Sequence, residues 1–247
     1  MTVLVAIPYW RASEYIEQAV DGVLAQSHSD LVCLVCGDGE EPKVRRADSR
    51  LVVLTFPTNL GAPATQQAML LGSPFSHYAA HGADDWTDPK YLAGLIDRSA
   101  VATGSRALWH EYPDAHQLVT GDRAYVEFGC FSTDLLRMVG GYGLDRCCGQ
   151  DTLLYADLLP HFAEIAWSDE PLYHKRIRAG SLTTNPGTGF GSAYRSEVFV
   201  HNRDVSSHCA SLQWDANRVR AYRETLVPAS LREPMAERVE MVRSALA

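Results

Sequence analysis

Apolar and polar positions switch between two periods along the first hundred residues. Val3-Leu4-Val5-Ala6-Ile7 is an unbroken apolar run that stops at Pro8, the pattern of a strand buried on both faces. Ile16, Ala19-Val20 and Val23-Leu24 then recur at helical spacing, and Ser13 stands where it would cap the helix they predict. Leu31 to Cys36 reads as a second strand, closed by the sharp turn Gly37-Asp38-Gly39, and Leu51 to Thr55 as a third. A second helix is expected from Gly61 to Leu71, with Pro63 tolerated in its first turn. A fourth strand follows from His77 to His81 and a third helix from Asp88 to Arg98.

This alternation implies parallel βαβ units with right-handed crossovers. Ligands of such sheets bind outside the carboxyl ends of the strands. Four of those ends carry polar or unusual residues: Pro8-Tyr9-Trp10-Arg11, Gly37-Asp38-Gly39, Thr58-Asn59-Leu60-Gly61 and Gly82-Ala83-Asp84-Asp85. All four are expected to gather along one edge.

Beyond residue 100 the pattern loosens. Tyr125 to Phe131 reads as a strand, Ser132 to Val139 as a short helix, and Asp151 to Leu159 as a helix closed by Pro160. Ala163 to Trp167 reads as a strand and Pro171 to Ser181 as an irregular basic segment. Residues 182 to 195, rich in Gly, Thr and Ser, predict a mobile loop. From about Asp215 the chain is helical and amphipathic, broken near Pro228, with Arg218, Arg220 and Arg223 on a solvated face.

Composition narrows the function. A chain of 247 residues can bury a sizeable core. Its net charge of −8 argues against nucleic acid or an anionic membrane as the main partner. A phosphate-bearing ligand must then be met locally, by a metal ion or a few placed cations. No apolar segment approaches the roughly 20 residues of a bilayer span. Val3 to Ile7 is too short for a signal peptide and no basic segment precedes it, so a cytoplasmic protein with reduced thiols is expected. Cys33 and Cys36 form a C-x-x-C within a strand, where positions three apart face opposite sides, which argues against a shared metal or redox role.

The densest chemistry lies in His81-Gly82-Ala83-Asp84-Asp85-Trp86. Two adjacent carboxylates at a strand end either form a solvated acidic turn or hold a hard divalent cation that grips phosphate oxygens. Asp38 either accepts a hydrogen bond from a ligand ring N–H or makes an Asx turn. Tyr9 and Trp10 either pack on a base or ribose or belong to the core.

Six segments stand in a telling order. They are Val3 to Tyr9, Leu34 to Gly39, Asn59-Leu60-Gly61 followed by Gln66-Gln67, Gly82 to Asp85, Gly140-Gly141-Tyr142 with Gln150-Asp151, and Lys175 to Ser181. Over roughly residues 1 to 185 they resemble the inverting glycosyltransferases of the GT-A fold, in particular the large family-2 group. The departures are specific. Gly37 replaces the first Asp of an Asp-Asp-Gly turn, Gln66-Gln67 the usual Arg-Asn, Gly82 the first Asp of the metal motif, Gln150 a Glu, and Arg178 a frequent His.

The resemblance implies an α/β GT-A fold: a mostly parallel central sheet flanked by helices over 1–185, with a loop and helical extension over 186–247. It implies transfer of a sugar from a nucleotide-diphosphate sugar, by default a UDP-sugar, to a hydroxyl of a glycan, protein or small molecule. Asp151 would be the general base, although an Asp before Thr152-Leu153-Leu154 also reads as a helix cap. Donor binding would fall to Pro8, Tyr9, Trp10, Arg11, Asp38, Asn59, Gly61, Gln66, Ala83, Asp84, Asp85, Lys175 and Arg178. Asp84, with His174 near the family's metal segment, would hold Mn2+ or Mg2+, waters completing the shell. Alternatively Arg178, aided by Lys175 and Arg176, could neutralise the diphosphate itself, or these cations could form a solvated loop. The C-terminal helices could cover the site, contact the acceptor or pair two copies into a homodimer. Two other functions stay open. One is a catalytically inactive relative that binds nucleotide or glycan. The other is a sugar nucleotidylyltransferase, whose Gly-rich cationic loop after the first strand Pro8-Tyr9-Trp10-Arg11-Ala12-Ser13 does not resemble.

Overall fold

The computed structural model describes residues 1–96, 102–111, 116–119, 124–168 and 170–247. Residues 97 and 98, assigned from sequence to the third helix, lie outside them. The amino-terminal half runs β1 (Val3–Tyr9), α1 (Ile16–Leu24), β2 (Leu31–Asp38), β3 (Leu51–Phe56), α2 (Ala62–Gly72), β4 (His77–Ala80), β5 (Trp86–Thr87) and α3 (Tyr91–Ile96). It continues through β6 (Ala102–Glu111), β7 (His116–Val119), β8 (Ala124–Ser132) and α4 (Thr133–Met138). A π-helical turn, Thr152–Leu158, then runs into a short 3-10 turn, Leu159–His161. After β9 (Ala166–Trp167) and β10 (Tyr173–Ile177), the chain ends in α5 (Ala193–Ser211), α6 (Ala216–Thr225) and α7 (Ala229–Leu246).

The described strands form one mixed sheet in the order β3-β2-β1-β4-β8-β6-β10-β5, with β7 and β9 also paired to β6. The β3-β2-β1-β4 half is parallel throughout. β8 enters antiparallel between β4 and β6, and β10 returns parallel to β6.

The apolar run of β1 explains the layering. Val3, Val5, Ile7 and Tyr9 face one core with Ile16, Val20 and Val23 of α1. Leu4 and Ala6 face the other with Ala64, Ala68 and Met69 of α2 and Met235, Val239 and Val242 of α7. Each fully buried aliphatic side chain here contributes roughly 1.5–3 kcal/mol. Cys33 belongs to the first core and Cys36 to the second, as strand alternation requires, and all six cysteines are unpaired. The apolar stripe of α7 packs on α2 within the chain.

Several local expectations are corrected. Ser13 does not cap α1: the helix opens at Tyr15 with no side-chain cap, because the backbone of Ala12 accepts from Tyr15 and Ile16 and closes the turn itself. The helix placed from Asp88 begins only at Tyr91, after a turn in which Asp88 O accepts from Tyr91 N. The basic segment read as irregular holds β10, which β6 and β5 complete from either side. Arg223, read as solvated, is buried and donates from Nη1 to Val139 O at 2.6 Å. Burial pushes its guanidinium down to about 10. Among the described residues no helix is long and apolar enough to cross a membrane.

Candidate active site

The carboxyl ends of β1, β2 and β4 open onto one cavity of about 680 Å3. Its walls include Pro8, Trp10, Arg11, Asp38, Asn59, Gly61 and Gln66 on one side. Ala83, Asp84, Asp85, Asp151, Lys175 and Arg178, also singled out from the sequence, line it too. Two of the residues so singled out lie elsewhere. Tyr9 alternates away from Pro8 into the α1-side core, fully buried. His174 is not on the wall; its Nε2 meets Asp88 Oδ2 at 3.0 Å and its ring stacks on Trp86 at 5.0 Å.

At the β2 end Asp38 is 2 % exposed and its carboxylate is heavily engaged. Oδ1 accepts from Leu60 N at 2.9 Å and from Arg238 Nη2 at 2.8 Å, and Oδ2 accepts from Gly61 N at 2.8 Å. Gly61 precedes α2 with φ +92°, a conformation that favours glycine, and turns the start of the helix toward Asp38. Gln66 Oε1 accepts from Tyr78 OH. Gln67 Oε1 accepts from Tyr142 N at 2.7 Å and its Nε2 donates to Gly140 O at 3.1 Å, so α2 fixes the glycine loop that leads toward Asp151. At the β1 end Trp10 is 41 % exposed, and the Arg11 guanidinium lies 4.9 Å over its ring.

The acidic turn after β4 is divided by environment. Asp85 is buried: Oδ2 accepts from Tyr173 OH at 2.7 Å and Oδ1 from Arg176 N at 2.8 Å. Tyr173 OH also accepts from Gly82 N at 2.9 Å, so one phenol ties the turn together. Asp84 is more open and takes Arg178 Nε on Oδ2 at 2.7 Å. Gly82 is glycine for a visible reason, since a Cβ there would stand 2.3 Å from Asp85 Oδ2. A carboxylate at that position would displace Asp85.

These residues do not fit a divalent-cation site built from several protein ligands. Asp84 is committed to a guanidinium, both oxygens of Asp85 accept hydrogen bonds, Gly82 has no donor atom and His174 faces Asp88. Among the described residues no three His, Cys, Asp or Glu side chains converge as a metal would need.

Burial gives two neighbours opposite titration behaviour. Burial, with Asp84 alongside, pushes the Asp85 carboxyl up to about 6, against relief from Lys175. Burial pushes His81 down to about 4; its Nδ1 meets Gly82 O at 2.8 Å and its Nε2 has no hydrogen-bond partner among the described residues. As pH falls from the ordinary 6.5 of histidine toward 4, the unfolded chain gains a proton at His81 that the folded chain refuses, and stability is lost. As pH falls through 6 toward the ordinary 3.8 of aspartate, the folded chain gains a proton at Asp85 first, and stability rises. The two contributions oppose each other over one window. Urea midpoints measured at pH 7 and pH 5 should therefore shift apart in single variants: His81→Gln gains stability relative to the parent on acidification, and Asp85→Asn loses it. Parallel curves for all three proteins would rule this out.

Asp151 begins the π-helical turn, and its Oδ1 accepts from Thr152 N at 2.9 Å. Such turns recur at functional sites because they re-aim the side chains that follow them. The loop before it is braced from α5, where Asn202 Nδ2 donates to Gly149 O at 2.9 Å. α5 also organises the far wall: Arg195 donates from Nε to Thr188 O at 2.8 Å and from Nη2 to Leu182 O at 3.0 Å. Phe190, 58 % exposed, covers the Arg195 guanidinium at 5.3 Å on the same wall.

Sequence reading missed Arg238, Arg195, Asn202 and Tyr173. Arg238, Asn202 and Tyr173 act through partners far along the chain and Arg195 through loop carbonyls at Thr188 and Leu182, and only a buried polar residue on an apolar helical stripe hints at Arg238, Arg195 and Asn202.

No family model matches the chain, and no curated protein matches it. Solved structures do. A fragment of TarS from S. aureus in complex with UDP-GlcNAc aligns over 100% of this chain and 90% of its own, with a TM-score of 0.56 and 14% identity. The same fragment without that ligand gives a TM-score of 0.57 at 12% identity over the same shares. The mannosyltransferase PcManGT from Pyrobaculum calidifontis, in complex with GDP-Man and Mn2+, aligns over 98% of this chain and 73% of its own, with a TM-score of 0.51 and 12% identity. Full-length likeness at this level, together with the parallel half-sheet and the cavity at its carboxyl edge, identifies the architecture: this chain has the GT-A fold of nucleotide-sugar glycosyltransferases.

Proposed function

We propose that the protein transfers a sugar from a nucleotide-diphosphate sugar to an acceptor hydroxyl with inversion at the anomeric carbon. One observation carries this reading: Asp38, Asp84, Arg178 and Asp151, drawn from four distant segments, line one cavity in a GT-A fold. The β1–β2–α2 side takes the nucleoside, with Trp10 as an exposed ring for the base or ribose and Asp38 holding the α2 start that forms the pocket floor. Uridine is the default base, and TarS and PcManGT, solved with UDP-GlcNAc and GDP-Man, make both nucleotides the first to test. The acceptor is a glycan, protein or small molecule entering from the Phe190 side.

In the transfer the acceptor oxygen forms a bond to the anomeric carbon as the bond to the diphosphate oxygen breaks. The electron pair of that bond leaves with the diphosphate, and the acceptor proton passes to the Asp151 carboxylate. Opposed entry and departure invert the centre. Of the carboxylates on the wall, Asp84 is the one that would hold a divalent cation if Arg178 moved off it, and such an ion would stabilise the leaving diphosphate.

The test is release of UDP or GDP from a panel of nucleotide sugars, with and without candidate acceptors. Slow release without acceptor, accelerated by one glycan or hydroxyl compound, is expected. Binding of a donor with no release under any acceptor supports the non-catalytic binder instead. No binding of any donor refutes the assignment.

A further inference from the structure

Arg178 is bonded to Asp84, the carboxylate that a metal ion here would need. Its Nε donates to Asp84 Oδ2 at 2.7 Å, and its guanidinium lies 5.2 Å over the ring of Tyr15. A carboxylate and an aromatic ring thus fix the guanidinium from two directions, and both Arg178 and Asp84 are largely shielded, with side chains 17% and 21% exposed. The bond to Asp84 uses Nε alone, so Nη1 and Nη2 remain outside it. Those two groups form the edge of a fork that matches paired phosphate oxygens. Lys175 and Arg176 of β10, just before Arg178, line the same cavity, which places three cations on this wall of a chain whose net charge is −8. A metal ion entering here meets the reverse: one available carboxylate, already bonded, and a second that is buried and doubly hydrogen-bonded. Displacing Arg178 from Asp84 sets metal affinity back by roughly tenfold to a hundredfold, the worth of a charge-assisted hydrogen bond.

We infer that Arg178, held by Asp84 and Tyr15, is the cation that binds and neutralises the donor's diphosphate, and that nucleoside diphosphates bind this protein without a divalent metal. Asp84 is then a positioning residue for the guanidinium. The inference rests on the glycosyltransferase reading above and sharpens it: the leaving group departs onto a fixed side chain whose charge is independent of metal supply. Gly82 fits the same arrangement, because the carboxylate that would give a metal its second ligand is sterically shut out by Asp85.

The test is calorimetric titration of UDP, with GDP as second probe, into the 247-residue chain in EDTA and in excess MnCl2. For the parent the two dissociation constants should agree within about threefold. Arg178→Ala should weaken binding in EDTA by about a hundredfold, the loss of a bidentate cation–phosphate contact. MnCl2 should restore part of that loss, because Asp84 is then open. Arg178→Lys keeps the charge without the fork and should fall between, which guards against an alanine variant that unfolds. A parent whose affinity rises more than tenfold with MnCl2, or an Arg178→Ala protein that binds in EDTA as tightly as the parent, overturns the inference while leaving the glycosyltransferase reading intact. Failure of the parent to bind either probe in both buffers overturns both.

Discussion

Asp151→Asn should lower the turnover number by about a thousandfold, the middle of the range for a lost general base, while donor affinity changes little. The geometry makes this substitution unusually clean. Asp151 Oδ1 accepts from Thr152 N at 2.9 Å, and the asparagine carbonyl can accept the same bond, so the start of the π-helical turn is kept. What disappears is the ability to take up a proton. Asp151→Ala removes both, and should lose the same rate plus about 1 kcal/mol of stability from the missing cap. Initial rates with the donor and acceptor identified by the nucleotide panel, set beside UDP titrations, separate the two roles. An asparagine variant that turns over at the parental rate would leave Asp151 as a cap alone.

Arg238→Ala should cost about 3–5 kcal/mol, the loss expected when one partner of a buried ion pair is removed. Arg238 is 2 % exposed and sits on α7, far along the chain from everything it touches. Its Nη2 donates to Asp38 Oδ1 at 2.8 Å and also to Thr58 O, its Nη1 to Thr65 Oγ1 at 3.2 Å, and its guanidinium lies 4.4 Å from the Phe56 ring centre. Alanine leaves the Asp38 carboxylate buried beside unreplaced space. For a chain of this length the melting temperature should fall by roughly 10 °C. A double-mutant cycle with Asp38→Asn measured in urea gives the coupling between the two sites, expected at about 1–3 kcal/mol. Coupling near zero would mean that the two charges are held independently.

The fold was largely readable because its first hundred residues obey simple periods. An unbroken apolar run specified β1 as a strand covered on both faces, and the alternation of strand and helix specified a parallel half-sheet. Strand parity also sent Cys33 and Cys36 to opposite cores. Legibility ended where burial and hydrophobicity part company. The buried residues of α5 are Arg195, Val198, Asn202, Val205 and Cys209, spaced as a helix requires, but two of the five are polar and the stripe does not stand out. β10 carries Lys175 and Arg176 and reads as a solvated loop, yet two neighbouring strands supply the pairing that its sequence does not advertise. Arg223 and Arg238 belong to helices rich in charge, and only contact with Val139 O or Asp38 distinguishes them from solvated neighbours.

The gathering of candidate residues was legible for a different reason. It followed from where parallel strands end, so Pro8, Asp38, Asn59 and Asp84 could be put on one rim without knowing any side-chain direction. Direction is what the sequence lacked. Tyr9 turns into the core beside Pro8, His174 turns to Asp88, and Asp84 and Asp85, adjacent in sequence, part into an open and a buried carboxylate.

α5 carries a mechanical corollary. Its Arg195 grips the turns at Leu182 and Thr188 on one flank, and its Asn202 grips Gly149, two residues before Asp151, on the other. From Arg195 to Asn202 is about two turns, or roughly 10 Å of rise. The clearance between Asp151 and the opposite flank is thus gauged by one rigid rod, and displacing that rod carries both flanks along together. Substrate size could then be re-tuned by changing the rod's two grips without touching any group that meets the reacting atoms.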